Sequence, residues 1–114
     1  MPQFEDKIRL QHILDEANEA QEFVKDISFN ELKNDSKTVH ALLRSIEIIG
    51  EAASKISKEY KEKHQEIPWG RIIGMRNHLI HVYFDIDYET VWNTVQNDIP
   101  KLIEMIAKLF NEKL

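Results

Sequence analysis

Arg76, Asn77, His81 and Tyr83 fall inside one short run, Met75-Arg76-Asn77-His78-Leu79-Ile80-His81-Val82-Tyr83-Phe84. Together they can stabilise an anion and move a proton. His81 has an intrinsic pKa suited to proton transfer near neutrality. Arg76 offers a planar fork of donors to a phosphate whose charge grows in a transition state. Asn77 can hydrogen-bond the same phosphate or orient His81. RNA brings its own nucleophile in the 2′-hydroxyl, so this set could cleave a phosphodiester with no serine, cysteine or metal. The residue types alone leave a plainer arrangement open. Arg76 could pair with Glu47 or Glu51, His81 could be satisfied in a helix contact, and the Tyr83 hydroxyl could meet a core partner.

The helix that must carry these residues shows two faces. Trp69, Ile73, Arg76, Ile80 and Tyr83 recur at the alternating spacing of a packed helical stripe. Arg76 thus falls where an apolar residue is expected, and a guanidinium there must be paired or face a polar cleft. Gly70, Gly74, Asn77 and His81 share a second face. A glycine inside a helix costs about 1 kcal/mol against alanine, so two of them point to a close packing or dimer contact. If the helix is regular through residue 83, Arg76 and His81 project about 140° apart. A bend near His81, or a second copy across a two-fold axis, would then be needed to unite them.

The rest of the chain reads as helices. Leu10, Ile13, Ala17, Ala20, Val24 and Ile27 mark a first helix over 4–27, and residues 28–34 read as a polar connection. Asp35 or Ser36 can cap a second helix over 36–63, whose seam is Val39, Leu42, Ile46, Ile49, Ala53, Ile56 and Tyr60. Pro68 suits the start of a third helix over 68–82. Asp85 and Asp87 mark a short loop, and Asp87 can cap a fourth helix. Val91, Val95, Ile99, Leu102, Ile106 and Leu109 then form one stripe toward the C-terminus. Pro100 lies inside that stripe and should kink the helix or split it in two. The spacing predicts an all-α, up-and-down bundle of four to five helices, formed by residues 1–114 as one domain.

Composition narrows the function classes. There is no cysteine among the 114 residues, and only three glycines and three prolines. Disulfide frameworks and thiolate metal sites are thereby excluded. No apolar run approaches a membrane span, and the first residues lack the pattern of an export signal. A cytoplasmic location is expected. The net charge of −5 argues against a protein that coats DNA. The one locally basic stretch, from Lys55 to Arg76, leads into the motif and leaves room for a confined polyanion site.

Other residues read more simply. His78 and His81 lie three apart with His64 nearby, but without cysteine or a His-Glu-x-x-His spacing no metal site is expected. Arg44, Glu47 and Glu51 read most simply as a charge row along one helix, with Gly50 hinting at a close contact and so at a second reading, a role in positioning Arg76 or in the dimer. Trp69, Phe84 and Trp92 read as core or interface anchors. The Lys55–Lys63 run reads as a solvated face.

The motif Arg76-x4-His81-x-Tyr83, continued by Phe84-Asp85-Ile86-Asp87 and by Val91-Trp92, resembles the signature of the HepT-like toxins of the HEPN superfamily. The block from Arg44 to Ala53 resembles that family's second helix, and Trp69 sits at the matching place before the arginine. The resemblance implies a dimeric helical bundle. It also implies a metal-independent endoribonuclease that acts as the toxin of a toxin–antitoxin pair and needs no cofactor. The implied partner is a minimal nucleotidyltransferase that transfers AMP from ATP to the motif tyrosine. On this resemblance Arg76 and His81 are catalytic, Asn77 supports them, and Tyr83 is the modified residue. RNA is the expected substrate, with no role for DNA or a membrane. A catalytically silent helical partner of a nucleotidyltransferase is the alternative.

Overall fold

The computed structural model describes residues 2–79 and 85–111, with side chains from residue 4 onward. The described residues form an all-α bundle built on the seams expected from the sequence. Helix α1, Pro2–Phe23, packs along α3, Ser36–Ser54, and along α7, Ile99–Asn111. Leu10, Ile13, Ala17 and Ala20 are fully buried, and so are Val39, Leu42, Ile46, Ile49 and Ala53 from α3. Burying a Leu or Ile side chain stabilises by about 1.5–3 kcal/mol, so these seams dominate the fold. No helix among the described residues is long and apolar enough to cross a membrane.

Three local features depart from the expected helices, and a fourth is the interruption expected at Pro100. The connection at 28–34 contains a short helix, α2, Phe29–Lys33. Ser28 accepts from the Glu31 N–H at 3.1 Å while the Glu31 carboxylate accepts from the Ser28 N–H at 3.0 Å. That reciprocal capping box satisfies two backbone donors that a polar connection would leave to water. Leu32 is fully buried beneath it.

The expected helix over 36–63 is interrupted. It ends at Ser54, and α4, Lys58–Lys63, begins anew after Ser57. The cause lies 51 residues away. The carboxylate of Asp6, 3% exposed on α1, accepts from the Ser57 N–H at 2.8 Å and from its hydroxyl at 2.7 Å. Ser57 in turn accepts from the Tyr60 N–H at 3.1 Å. Ile56 and Tyr60 still bury, because the apolar seam continues across the break.

The third expected helix is short. Helix α5, Trp69–Gly74, tightens into a 3₁₀ turn, Met75–His78. Its buried stripe is Trp69, Ile72, Met75 and Leu79, not the expected series through Ile73 and Arg76. Met75 is buried and Ile73 is 39% exposed, so the inward face is set one position off the expected stripe. The regular helix on which the 140° divergence of Arg76 and His81 rests therefore ends before Arg76.

The fourth helix begins as α6, Tyr88–Asn93, capped by Asp87 as expected. Asp87 accepts from the Thr90 N–H at 3.0 Å and its hydroxyl at 2.7 Å. Between α6 and α7 the chain widens over Thr94–Asp98, where the Ile99 N–H reaches back to the Thr94 carbonyl. Pro100 accounts for it. Proline has no N–H for the Gln96 carbonyl, and its ring would strike that carbonyl in a regular helix. The wider turn absorbs the clash while Val95, Ile99, Leu102, Ile106 and Leu109 remain buried.

Helix α3 is capped by Asp35, as one of the two expected caps. The Thr38 hydroxyl and then the Thr38 N–H, donating to the Asp35 carboxylate at 2.6 and 3.1 Å, hold its pKa below the ordinary carboxylate value. The shift is a depression, so this contribution is complete above the ordinary range and fades as pH falls through it.

Gly50 decides how closely α5 approaches α3. A Cβ at Gly50 would lie 3.0 Å from the Ile73 carbonyl oxygen, a backbone atom. Overpacking of this kind costs about 1–3 kcal/mol, set against about 1 kcal/mol of helix propensity gained by alanine. Gly50→Ala should therefore lower the melting temperature by a few degrees. Calorimetry on the purified protein checks this, and a melting temperature above wild type would contradict the close contact.

Candidate active site

Arg76 is positioned by anchors on both sides. Trp69 opens α5 with its indole N–H donating to the His64 carbonyl at 3.0 Å. Its ring meets Tyr60 edge-on with centroids 6.3 Å apart, and Tyr60 lies against His64 at 4.3 Å. Met75 and Leu79 are buried on either side of Arg76. The Asp87 N–H donates to the Leu79 carbonyl at 2.8 Å and ties this stretch to the start of α6. The 3₁₀ turn is thus pinned at both ends by residues that do no chemistry.

Across from it, α3 presents Glu47. One Glu47 oxygen lies 3.3 Å from Arg76 Nε and the other 3.3 Å from an Arg44 Nη1. The carboxylate is shared by two guanidiniums. The Arg76 contact is an ion pair without hydrogen-bond alignment, and its Nε is shielded from solvent. The Arg76 side chain as a whole is 42% exposed, so its exposure lies on its other atoms. A half-exposed pair of this kind contributes about 0.2–1 kcal/mol to stability. Its main consequence is orientation.

The approach that makes this pair follows from the glycine. Gly50 stands one turn after Glu47 on α3, and Ile73 one turn before Arg76. The close passage of the Ile73 carbonyl over Gly50 brings Arg76 level with Glu47. Sequence spacing named Glu47 as one of two partners for Arg76; the tertiary contact selects it. Glu51, the other, is exposed on α3.

Asn77 and His78 are exposed beside Arg76. His81 and Tyr83 lie outside the described residues, as does Phe84. Among the described residues, nothing lies within 4 Å of a Cβ built at Gly70 or Gly74. Trp69 is a core residue, and Trp92 is half-buried against Phe29 at 6.0 Å. The lysines from 55 to 63 face solvent wholly or in part, with Lys63 paired to Glu59 at 3.3 Å. Among the described residues no group of three or more His, Asp or Glu could hold a metal.

Arg44 pairs with Glu47 within α3, as the charge row implied. Its spacing to Glu47 reads as an ordinary intrahelical pair, and nothing local shows that Glu47 also serves a second arginine. Two clefts lie elsewhere. One of about 430 Å³ includes Gln21, Trp92, Gln96 and Pro100. The other, of about 130 Å³, lies between α5 and α7 and includes Met75, Leu102 and Met105. Arg76 lines neither.

Comparison with known proteins bears on this site. A family model described as ribonuclease HepT-like matches residues 13–109. A protein of Thermococcus cleftensis named probable ribonuclease HepT is 41% identical over 88% of this chain and 91% of its own. A provisionally named RNase of Caldanaerobacter subterraneus subsp. tengcongensis is 41% identical over 91% and 93%. Another, of Methanocaldococcus jannaschii, is 45% identical over 84% and 88%. No solved structure matches the chain significantly. With the model spanning nearly the whole bundle and relatives aligned over most of their length, this chain belongs to the HepT-like ribonuclease family.

Proposed function

We propose that this protein is a metal-independent endoribonuclease and the toxin of a toxin–antitoxin pair, restrained by a minimal nucleotidyltransferase. One observation carries the reading: in a chain of the HepT-like ribonuclease family, Arg76 is held half-exposed against Glu47, five residues before His81. In the proposed reaction the ribose 2′-hydroxyl loses its proton and attacks the adjacent phosphorus. The bond from phosphorus to the 5′-oxygen breaks, and that oxygen takes up a proton. The products are a 2′,3′-cyclic phosphate and a 5′-hydroxyl. His81 moves the protons, Arg76 stabilises the charge growing on the phosphoryl oxygens, and Asn77 supports them. The test is cleavage of RNA by the purified protein in EDTA, wild type against His81→Ala. An inactive wild type, or an active His81→Ala protein, overturns the reading.

The acting species in this proposal is a homodimer in the cytoplasm. The Gly70/Gly74 face and the exposed Ile73 beside it support a contact between two copies. Such a contact would set two copies of the motif near each other, so that one His81 could accept a proton while its two-fold mate donates one. Gly74→Leu, at a position where a Cβ meets no described atom within 4 Å, should break the dimer and reduce cleavage, with circular dichroism showing that the monomer stays folded. Light scattering checks this: a wild-type monomer at micromolar concentration that still cleaves RNA would remove the dimer from the mechanism.

A further inference from the structure

Glu47 is placed to do more than neutralise a charge. It stands between two arginines from different elements, Arg44 on α3 and Arg76 on the 3₁₀ turn, with one oxygen toward each at 3.3 Å. The Arg76 contact is made through Nε, which is shielded from solvent. A guanidinium held by its Nε keeps its outer edge, the two Nη groups, for a second acceptor. Arg44 is 63% exposed and Arg76 42%, so an RNA backbone can reach both. Glu47 faces two cations, and the outer edges of both guanidiniums carry positive charge toward a polyanion, with Glu51 one turn further along α3.

We propose that Glu47 is a positioning residue that fixes the Nη edge of Arg76 for the reacting phosphate, and that Arg44 is a second phosphate-binding arginine for a neighbouring nucleotide. This rests on the ribonuclease reading. It assigns the two arginines different work. Arg76 meets charge that grows during the reaction, so the orientation set by Glu47 bears on kcat. Arg44 meets a phosphate whose charge does not change, so it bears on binding. An effect on binding alone would follow if the row on α3 were only a surface charge pattern.

The removal of Glu47 charge gives two signals of opposite direction. Glu47→Gln keeps the shape but lets the Arg76 fork turn. Cleavage should fall by about 10- to 100-fold, the scale of a small misplacement at a reacting centre. The same change removes an anion beside the RNA, so a non-cleavable 2′-O-methyl oligoribonucleotide should bind equally or more tightly. A general loss of structure would not lower kcat while sparing or strengthening binding. Glu47→Asp, which keeps the charge on a shorter stem, should recover part of the kcat lost in Glu47→Gln. Arg44→Ala should weaken the 2′-O-methyl RNA and reduce the slope of log affinity against log salt by about 0.7, one single-strand phosphate contact. It should raise KM by a larger factor than it lowers kcat, and Arg44→Lys should restore part of the affinity.

The experiment combines cleavage kinetics, 2′-O-methyl RNA titrations at several salt concentrations, and nitrogen-15 NMR of the arginine Nε–H groups. The Arg76 Nε–H signal should shift and exchange faster with water in Glu47→Gln. A folded Glu47→Gln protein with wild-type kcat or an unmoved Arg76 Nε–H signal overturns the positioning role. An Arg44→Ala protein with unchanged affinity and salt slope overturns the second contact. If wild-type protein cleaves no RNA, the ribonuclease reading falls by itself, while the NMR signal and the 2′-O-methyl RNA titrations still decide the arrangement.

Discussion

Replacing His81 or Arg76 by alanine should lower RNA cleavage by about 10²-fold or more, with wild-type cleavage undiminished in EDTA. The magnitude is the low end of general acid–base contributions for His81, and a lost charge-stabilising donor costs Arg76 a similar factor. A hundredfold loss corresponds to about 2.7 kcal/mol in the barrier. That is well above the roughly 0.2–1 kcal/mol at stake in the Arg76–Glu47 pair as a structural contact. Arg76→Ala therefore separates the two roles cleanly. A purely structural arginine would change the melting temperature slightly and cleavage by a few-fold at most. The products should end in a 2′,3′-cyclic phosphate or its hydrolysis product, read by mass spectrometry of a short oligoribonucleotide. Full activity in either purified, folded variant, or loss of wild-type activity in EDTA, removes the assignment.

Transfer of AMP to Tyr83 should silence the enzyme almost completely. In the proposed step the phenolic oxygen attacks the α-phosphorus of ATP, pyrophosphate leaves, and the phenol proton is lost to solvent or a base of the nucleotidyltransferase. Tyr83 follows His81 by two residues and Arg76 by seven in the sequence, and the mechanism requires its oxygen to lie within reach of both. The attached phosphate would compete for the Arg76 guanidinium, and the adenosine would block the path of the RNA. Inhibition would be both electrostatic and steric, and high salt should relieve only the first part. Incubation with the cognate nucleotidyltransferase, ATP and Mg²⁺ should raise the intact mass by whole AMP units, and peptide mapping should place them on Tyr83. Tyr83→Phe should cleave RNA, stay unmodified and escape control. Modification mapped elsewhere, or normal silencing of an active Tyr83→Phe protein, would overturn this mechanism.

The sequence by itself determined the class of fold and most of the core. Leu10 to Ala20, Val39 to Ala53 and Val91 to Leu109 bury as their spacing requires, because helical periodicity is local and the apolar face must be covered. Caps at Asp35 and Asp87 were legible for the same reason: a side chain and an N–H three residues on decide them. The capping box of Ser28 and Glu31 was equally local and readable, but the polar composition around it masked the short helix. The motif from Arg76 to Tyr83 was legible as a candidate site through residue type, with the pairing of Arg76 to Glu47 or Glu51 left open.

Tertiary structure decided what spacing could not. The break before Ser57 depends on Asp6, far away in sequence, reaching a helix start that periodicity would have run straight through. The α5 segment and the 3₁₀ turn after it bury Trp69, Ile72, Met75 and Leu79 in place of the expected stripe, because packing against the bundle turned that set inward. The choice of Glu47 over Glu51 as the partner of Arg76 was set by the height at which α5 crosses α3. A missing Cβ at Gly50 and a backbone carbonyl 3.0 Å from where it would stand fix that crossing. A one-dimensional pattern shows which residues can pair. The pairing made is the one that close-packed backbones permit.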